Sequence, residues 1–377
     1  MTEDIYNDYR PYTDSEVPAA IERIAENILF AEIVKYVFPD RNINDFIAEF
    51  KRIQTVAEFQ HKIMSPAIGS VVNQTINNLS HTGLDYLSNA VSCMQIANHR
   101  DIVLDSAVLN LILHRNGLNT SEITFGSNLM NPPIVVDIGK INKMFKIVRG
   151  GSPRELFTNS LNVSEYMRYA ITEKRQSTWI AQRNGRTKDG CDKTEVGVLK
   201  VFAMSSKKDF VENLNELNIT PIAVSYEYEP CDFMKTRESY ISRRQTYTKQ
   251  PGEDLLSILN GIKQYKGDVH YAVCQPITRE ELENCAKFPH AERFKVLAMI
   301  IDNRIYEGYK LFKTNYIAYD IRENGNQFVE HYTAEEREKF VTYMENGLQK
   351  LEGDTKELRQ IFLGIYANPV KNFLEKL

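Results

Sequence analysis

The sequence predicts an α/β fold, a mixed and largely parallel sheet flanked by helices, with a helical segment at each end. Three observations carry this. Short β-rich runs alternate with amphipathic stretches between about residues 82 and 280. Residues 15–65, ahead of them, carry apolar side chains at helical steps. Past residue 280 the chain is charged and helical in character, as in "TAEEREKFVTYMENGLQKLEGDTKELRQIF". The division is an N-terminal helical region over 1–80, an α/β domain over 81–285 and a C-terminal helical region over 286–377.

The N-terminal region reads as two helices. The first, "AAIERIAENILFAEIVKYVF", is apolar around much of its circumference and is expected to be sandwiched. In the second, Phe46, Phe50, Ile53, Val56, Phe59 and Ile63 form one stripe, and Ser65-Pro66 is expected to end it. The stripe suits packing on a larger core or contact with lipid. Six strands follow, at 90–97, 122–126, 145–149, 177–182, 220–228 and 268–275. Between the third and fourth, "SPREL" predicts a helix start, with Ser152 as cap, Pro153 at the first position and Glu155 completing a capping box. In such a sheet the ligand is expected on the loops at the strand ends.

Hydrophobic residues make up 42% and charged residues 25%, enough for a real core. A net charge of −4 argues against a nucleic-acid partner, so any basic site must be local. The five cysteines lie far apart with no CxxC pair, which points to a reducing compartment and against a zinc site. The polar start "MTEDIYNDYRPYTD" is unlike a signal peptide. No apolar run approaches the ~18–20 residues that span a bilayer. The expected location is cytoplasmic, peripheral on the inner face of the cell membrane.

The stretch "IANHRDIVLDSAVLN" is consistent with two chemistries. His99-Arg100-Asp101 could open a protein-kinase catalytic loop, but Ser106 stands where that loop needs a metal-binding Asn. No Gly-rich loop or DFG accompanies it. Alternatively, a His held by a carboxylate serves as the base for acyl transfer to a hydroxyl. An anionic acceptor then needs cations and backbone donors on adjoining loops. These arrive in order: "FGSNLMNPPIV" (125–135), "MFKIVRGG" (144–151) with Lys146 and Arg149, "WIAQRNGRTKDG" (179–190) with Arg183, Arg186 and Lys188 about a Gly turn, and "TPIAVSYEYEP" (220–230).

In these blocks the chain resembles the glycerolipid acyltransferase superfamily over roughly residues 75–280. That group includes glycerol-3-phosphate and lysophosphatidic acid acyltransferases, and the second and fourth blocks are most similar to the glycerol-3-phosphate branch. The resemblance implies transfer of a fatty acyl chain from an acyl carrier protein or coenzyme A thioester to a glycerol-3-phosphate-type hydroxyl. His99 would remove the hydroxyl proton and Asp105 would orient it. Arg149, Arg186 and Lys188, with Asn184 and Gly185, would bind the acceptor. Neither a metal nor an acyl-enzyme is implied. A lysophospholipid or amino-acid lipid acceptor, or an inactive lipid-binding member, are the alternatives.

Two departures stand out. The family places four residues between His and Asp, whereas here Leu104 holds that position and five residues separate His99 from Asp105. A helix starting late enough would let the loop absorb the extra residue, with Asp101 as helix cap or fallback partner. The Glu of the family's third block is Asn184 here. The other six His residues, Trp179 and the "IAVSY" run read as structural. The basic, aromatic segment 235–249 suits a cover over the site, a contact for anionic headgroups, or an exposed loop.

Overall fold

The computed structural model describes residues 6–130, 132–148 and 150–376. Its centre is a seven-stranded sheet built from β1 (Ile76–Thr82), β2 (Met94–Ala97), β3 (Glu122–Gly126), β4 (Met144–Ile147), β5 (Thr178–Ala181), β6 (Thr220–Tyr226) and β7 (Gly267–Val273). The strand order is β1-β7-β6-β2-β5-β3-β4. The β6–β7 pairing is antiparallel and the others are parallel. This is the mixed, largely parallel α/β sheet that the strand–helix alternation predicts. All six expected strands are present, and β2 starts four residues later than expected because residues 88–93 hold a small turn and bridge.

The helices show why the local pattern gave the type of element but not its breaks. The helices named below are α1 (Val17–Ala25), α2 (Ile28–Val37), α3 (Ile43–Phe50), α4 (Ser65–Thr75), α5 (Leu104–Arg115), α6 (Pro133–Ile141), α7 (Pro153–Thr172), α8 (Asp232–Ser242), α9 (Glu253–Lys263), α10 (His290–Gly308) and α11 (Thr355–Leu374), and further helices lie between some of them. The first expected helix is two, because the Asn27 side chain accepts the Leu29 N–H and restarts the chain as α2. Ser65-Pro66 does not end a helix. A π turn at Gln60–Met64 precedes it, so Pro66 falls in the first turn of α4, where a missing N–H costs little. Ser152, Pro153 and Glu155 form the expected capping box of α7.

Phe46, Phe50, Ile53 and Phe59 pack with α1, α2 and Ile134 and Ile141 of α6. That apolar stripe therefore packs on protein. Leu297, Ile301 and Ile305 of α10 join Met94, Ile96 and Ala223 in the main core, so α10 lies on the sheet. β2 is the middle strand of the sheet and buried along its length. The loop at its C-terminal end carries the candidate site.

Candidate active site

The site starts from how β2 ends. The Asn98 side chain continues the β2–β6 ladder in place of backbone: its Nδ2 donates to the Val224 carbonyl at 3.0 Å, and the Val224 N–H donates to its Oδ1 at 2.7 Å. The chain then leaves the sheet. The Asp101 carboxylate accepts the N–H groups of Val103 and Leu104 at 2.9 and 2.8 Å, so α5 begins at Leu104. The loop thus ends at Val103, and Asp105 falls in the first turn of the helix. From there Asp105 points back across the loop.

Asp105 is fully buried and its carboxylate accepts four hydrogen bonds. Oδ2 takes His99 Nδ1 at 2.9 Å, the Arg100 N–H at 2.6 Å and the Asp101 N–H at 2.9 Å. Oδ1 takes the Tyr226 hydroxyl at 2.9 Å. With Nδ1–H committed to Asp105, the Nε2 lone pair of His99 is the free one. The Trp179 ring stands edge-on to the imidazole at 5.9 Å between centroids. Burial, reinforced by the nearby Asp105, pushes the Asp101 carboxyl above its ordinary value.

His99 borders a half-open cleft of about 80 Å³. Ile102, Phe125, Leu129 and Trp179 supply apolar wall, and Arg186, Lys249 and Asp254 supply charge. Arg186 is only 9% exposed, and its Nη1 has no hydrogen-bond partner among the described residues. A buried, partly unsatisfied guanidinium beside a cleft is a ready anion site. Asp254 accepts from Asn128 Nδ2 at 3.0 Å and from Lys249 Nζ at 2.5 Å. Although burial opposes it, Lys249 holds the Asp254 carboxyl below its ordinary value.

The structure thus brings together His99, Asp105, Gly185 and Arg186. Gly185 takes a φ of +79° at the turn that delivers Arg186. Lys188 is not at the cleft. The Thr187 N–H is tied to the His99 carbonyl at 2.8 Å, and beyond it Lys188 leaves toward α8, where it pairs with Glu238. Asn184 also lies off the cleft lining, with its N–H on Glu195 Oε2 at 3.2 Å. Arg149 lies outside the described residues.

Sequence reasoning missed several participants. Trp179 and Tyr226 are core residues as read, and they also touch His99 and Asp105. The Tyr226 contact follows from register: Ala97 faces Ile222, so a residue four further along β6 lies on the same face, past the end of β2. Lys249 ends the segment suspected of covering the site, and Asp254 follows on α9. A second group sits behind the loop, where Arg100 pairs with Asp192 and Glu229, and Lys235 pairs with Glu229.

No family model matches the chain, and no curated protein matches its sequence. Among solved structures it is similar to the crystal structure of the 1-acyl-sn-glycerophosphate (LPA) acyltransferase, PlsC, from Thermotoga maritima. That similarity covers 77% of this chain and 94% of that one, at 11% identity and a TM-score of 0.37.

Proposed function

We propose that the chain is an O-acyltransferase that moves a fatty acyl group from an acyl carrier protein or coenzyme A thioester to a hydroxyl on a glycerol-3-phosphate-type or lysolipid acceptor. The observation that carries this reading is the meeting of His99, backed by Asp105, with the partly unpaired Arg186 at one cleft. His99 Nε2 takes the hydroxyl proton as the oxygen attacks the thioester carbonyl. The tetrahedral intermediate collapses, the C–S bond breaks, and the thiolate takes the proton from the imidazolium. Asp105 holds Nδ1–H throughout and stabilises the imidazolium. Arg186, with Lys249 beside it, binds the acceptor's anionic group.

α9 joins this site to a surface. Asp254 on this helix borders the cleft, while Leu255, Leu256 and Leu259 are exposed to solvent. Among the described residues no helix is long and apolar enough to cross a membrane. Peripheral contact with the cytoplasmic membrane face is the location this reading favours. One observation favours a second acceptor class. Asp254 places a carboxylate at the cleft, which suits the ammonium group of an amino-acid lipid.

The test is release of free thiol from long-chain acyl-coenzyme A and acyl carrier protein thioesters. Glycerol-3-phosphate, lysophosphatidic acid, a phosphate-free analogue and an acylated amino acid serve as acceptors. Acceptor-dependent release that His99→Ala abolishes supports the reading. Lipid binding without thiol release would leave an inactive lipid-binding protein.

A further inference from the structure

Several polar atoms of the His99 loop are held by specific partners. The Asn98 side chain is locked to Val224, and the His99 carbonyl receives the Thr187 N–H. The N–H groups of Arg100 and Asp101 go to Asp105. The Arg100 carbonyl is met by a side chain, Lys235 Nζ of α8, at 2.7 Å.

Lys235 belongs to a sealed cluster of charges. Its Nζ also donates to Glu229 Oε1 at 2.5 Å, and Glu229 Oε2 accepts from Arg100 Nη1 at 3.1 Å. Arg100 Nη2 donates to Asp192, whose Oδ2 also takes Asn98 Nδ2 at 3.3 Å. The Tyr309 ring lies 5.0 Å from the guanidinium. All four charged side chains are essentially inaccessible. Although burial opposes it, the Asp192 and Glu229 carboxylates hold the Arg100 guanidinium well above its ordinary value. Two cations and two anions therefore balance beneath the loop. Such a cluster is a poor way to gain stability, because each ion costs several kcal/mol to desolvate and apolar side chains of similar size often do as well. What it supplies instead is direction. Lys235 holds the Arg100 carbonyl while Glu229 and Asp192 hold the Arg100 guanidinium, so the backbone and the side chain of one residue are fixed together.

We propose that Lys235, acting with Arg100, Asp192 and Glu229, is a positioning device that sets where His99 Nε2 points into the cleft. This rests on the reading of His99 as the base and adds residues that touch neither substrate. A misplacement of about 1 Å at a reacting group costs about a hundredfold in rate. Freeing the Arg100 carbonyl should therefore lower turnover far more than substrate binding.

Two variants separate positioning from charge balance. Lys235→Met removes the clamp and leaves Glu229 unbalanced. The double variant Lys235→Met/Glu229→Gln removes the clamp but restores neutrality. The expected result is that the single variant loses melting temperature and turnover. The double should regain the melting temperature yet keep kcat about ten- to a hundredfold below wild type, with donor and acceptor KM within about twofold. The Nδ1 proton resonance of His99, assigned against His99→Gln, should move in the double variant, and this readout needs no activity. A double variant with wild-type kcat and an unmoved resonance would overturn the proposal. Failure of both variants to fold would make the cluster a folding element and also overturn it. If the wild type transfers no acyl group while the resonance still moves, positioning stands and the acyltransferase reading falls.

Discussion

Asp105→Asn tests the site most directly, because the structure sets the size of its effect. The carboxylate meets three N–H donors on the Oδ2 side and one hydroxyl on the Oδ1 side. An asparagine amide keeps its oxygen toward the three donors and turns its NH₂ toward Tyr226, whose hydroxyl can reverse and accept. The tautomer of His99 is therefore kept, and what is lost is the negative charge beside the imidazolium. A charge-assisted hydrogen bond contributes about 1.5–3 kcal/mol against about 0.5–1.5 for a neutral one. The difference, about 1–2 kcal/mol, predicts a drop of roughly 5–30-fold in kcat. The opposite amide orientation would put the proton on Nε2 and remove the base, with a loss of about 10²–10⁴-fold, the size expected for His99→Ala. Asp101→Asn should cost less than about threefold, since Asp101 meets only the N–H groups of Val103 and Leu104 and an amide oxygen can still accept them. Thiol release with the best acceptor measures all three, with thermal melts as the control for folding. Equal or greater loss from Asp101→Asn would refute the pairing of His99 with Asp105 as the working base.

The other expectations concern the anion site, the roof of the loop, the membrane and acid stability. Arg186→Ala should raise the KM of a phosphorylated acceptor by about one to two orders of magnitude and leave the donor KM unchanged. Lys188→Ala, whose partner is Glu238, should leave both alone, and the reverse pattern would relocate the anion site. Gly261→Ala puts a Cβ 2.1 Å from Asp101 Oδ2, so α9 or the Asp101 cap must shift. A melt should show a loss of about 1–3 kcal/mol, and Asp101→Ala in the same chain should restore part of it. The protein should co-sediment with anionic vesicles, less so at high salt or in a Leu255→Ser/Leu256→Ser variant, and absence of binding at low salt would argue for substrates delivered by soluble carriers. Burial, with help from Lys310 and His81, depresses His270 to about 4 from its ordinary 6.5. The unfolded chain then binds the extra proton first, so this contribution is full above pH 6.5 and is lost as pH falls toward 4. His270→Gln should flatten that part of the stability curve.

What the sequence revealed, and what it hid, follows from the range of the interactions. The six expected strands were visible because each is an apolar run whose burial does not depend on its neighbours' order. β1 was hidden because Asn77, Asn78, Ser80, His81 and Thr82 make it polar, and only pairing to β7 at the sheet edge makes it a strand. The helix break at Asn27 was one local hydrogen bond inside an otherwise continuous apolar pattern. Among residues of the candidate site, His99, Asp105 and Arg186 were proposed from the resemblance of two sequence blocks, one running into α5 and one around the Gly185 turn, and the structure places His99 beside both of the others. Tyr226 could not be proposed in that way, because its role depends on β6 lying beside β2, and strand order is not written in either strand. Arg100, Asp192, Glu229 and Lys235 were invisible as a group for the same reason, being drawn from three separate stretches of chain.

The contact between His99 and Asp105 shows how a local geometry can rest on distant residues. A helix start shifted by one residue would turn Asp105 by about 100°. Asp101 caps the helix at Leu104, so Asp105 points toward His99. The cap brings a second carboxyl into the interior, beside Asp105, and two like charges there would oppose one another. Burial and Asp105 together raise the Asp101 carboxyl, which favours its neutral form, while Arg186 offsets part of that shift from the cleft side. Only a glycine at position 261 lets α9 close over the buried oxygen. The spacing, the acid at 101, the cation at 186 and the glycine at 261 thus form one arrangement. A change at any one of them should alter how far the others can be changed without loss of the His99–Asp105 contact.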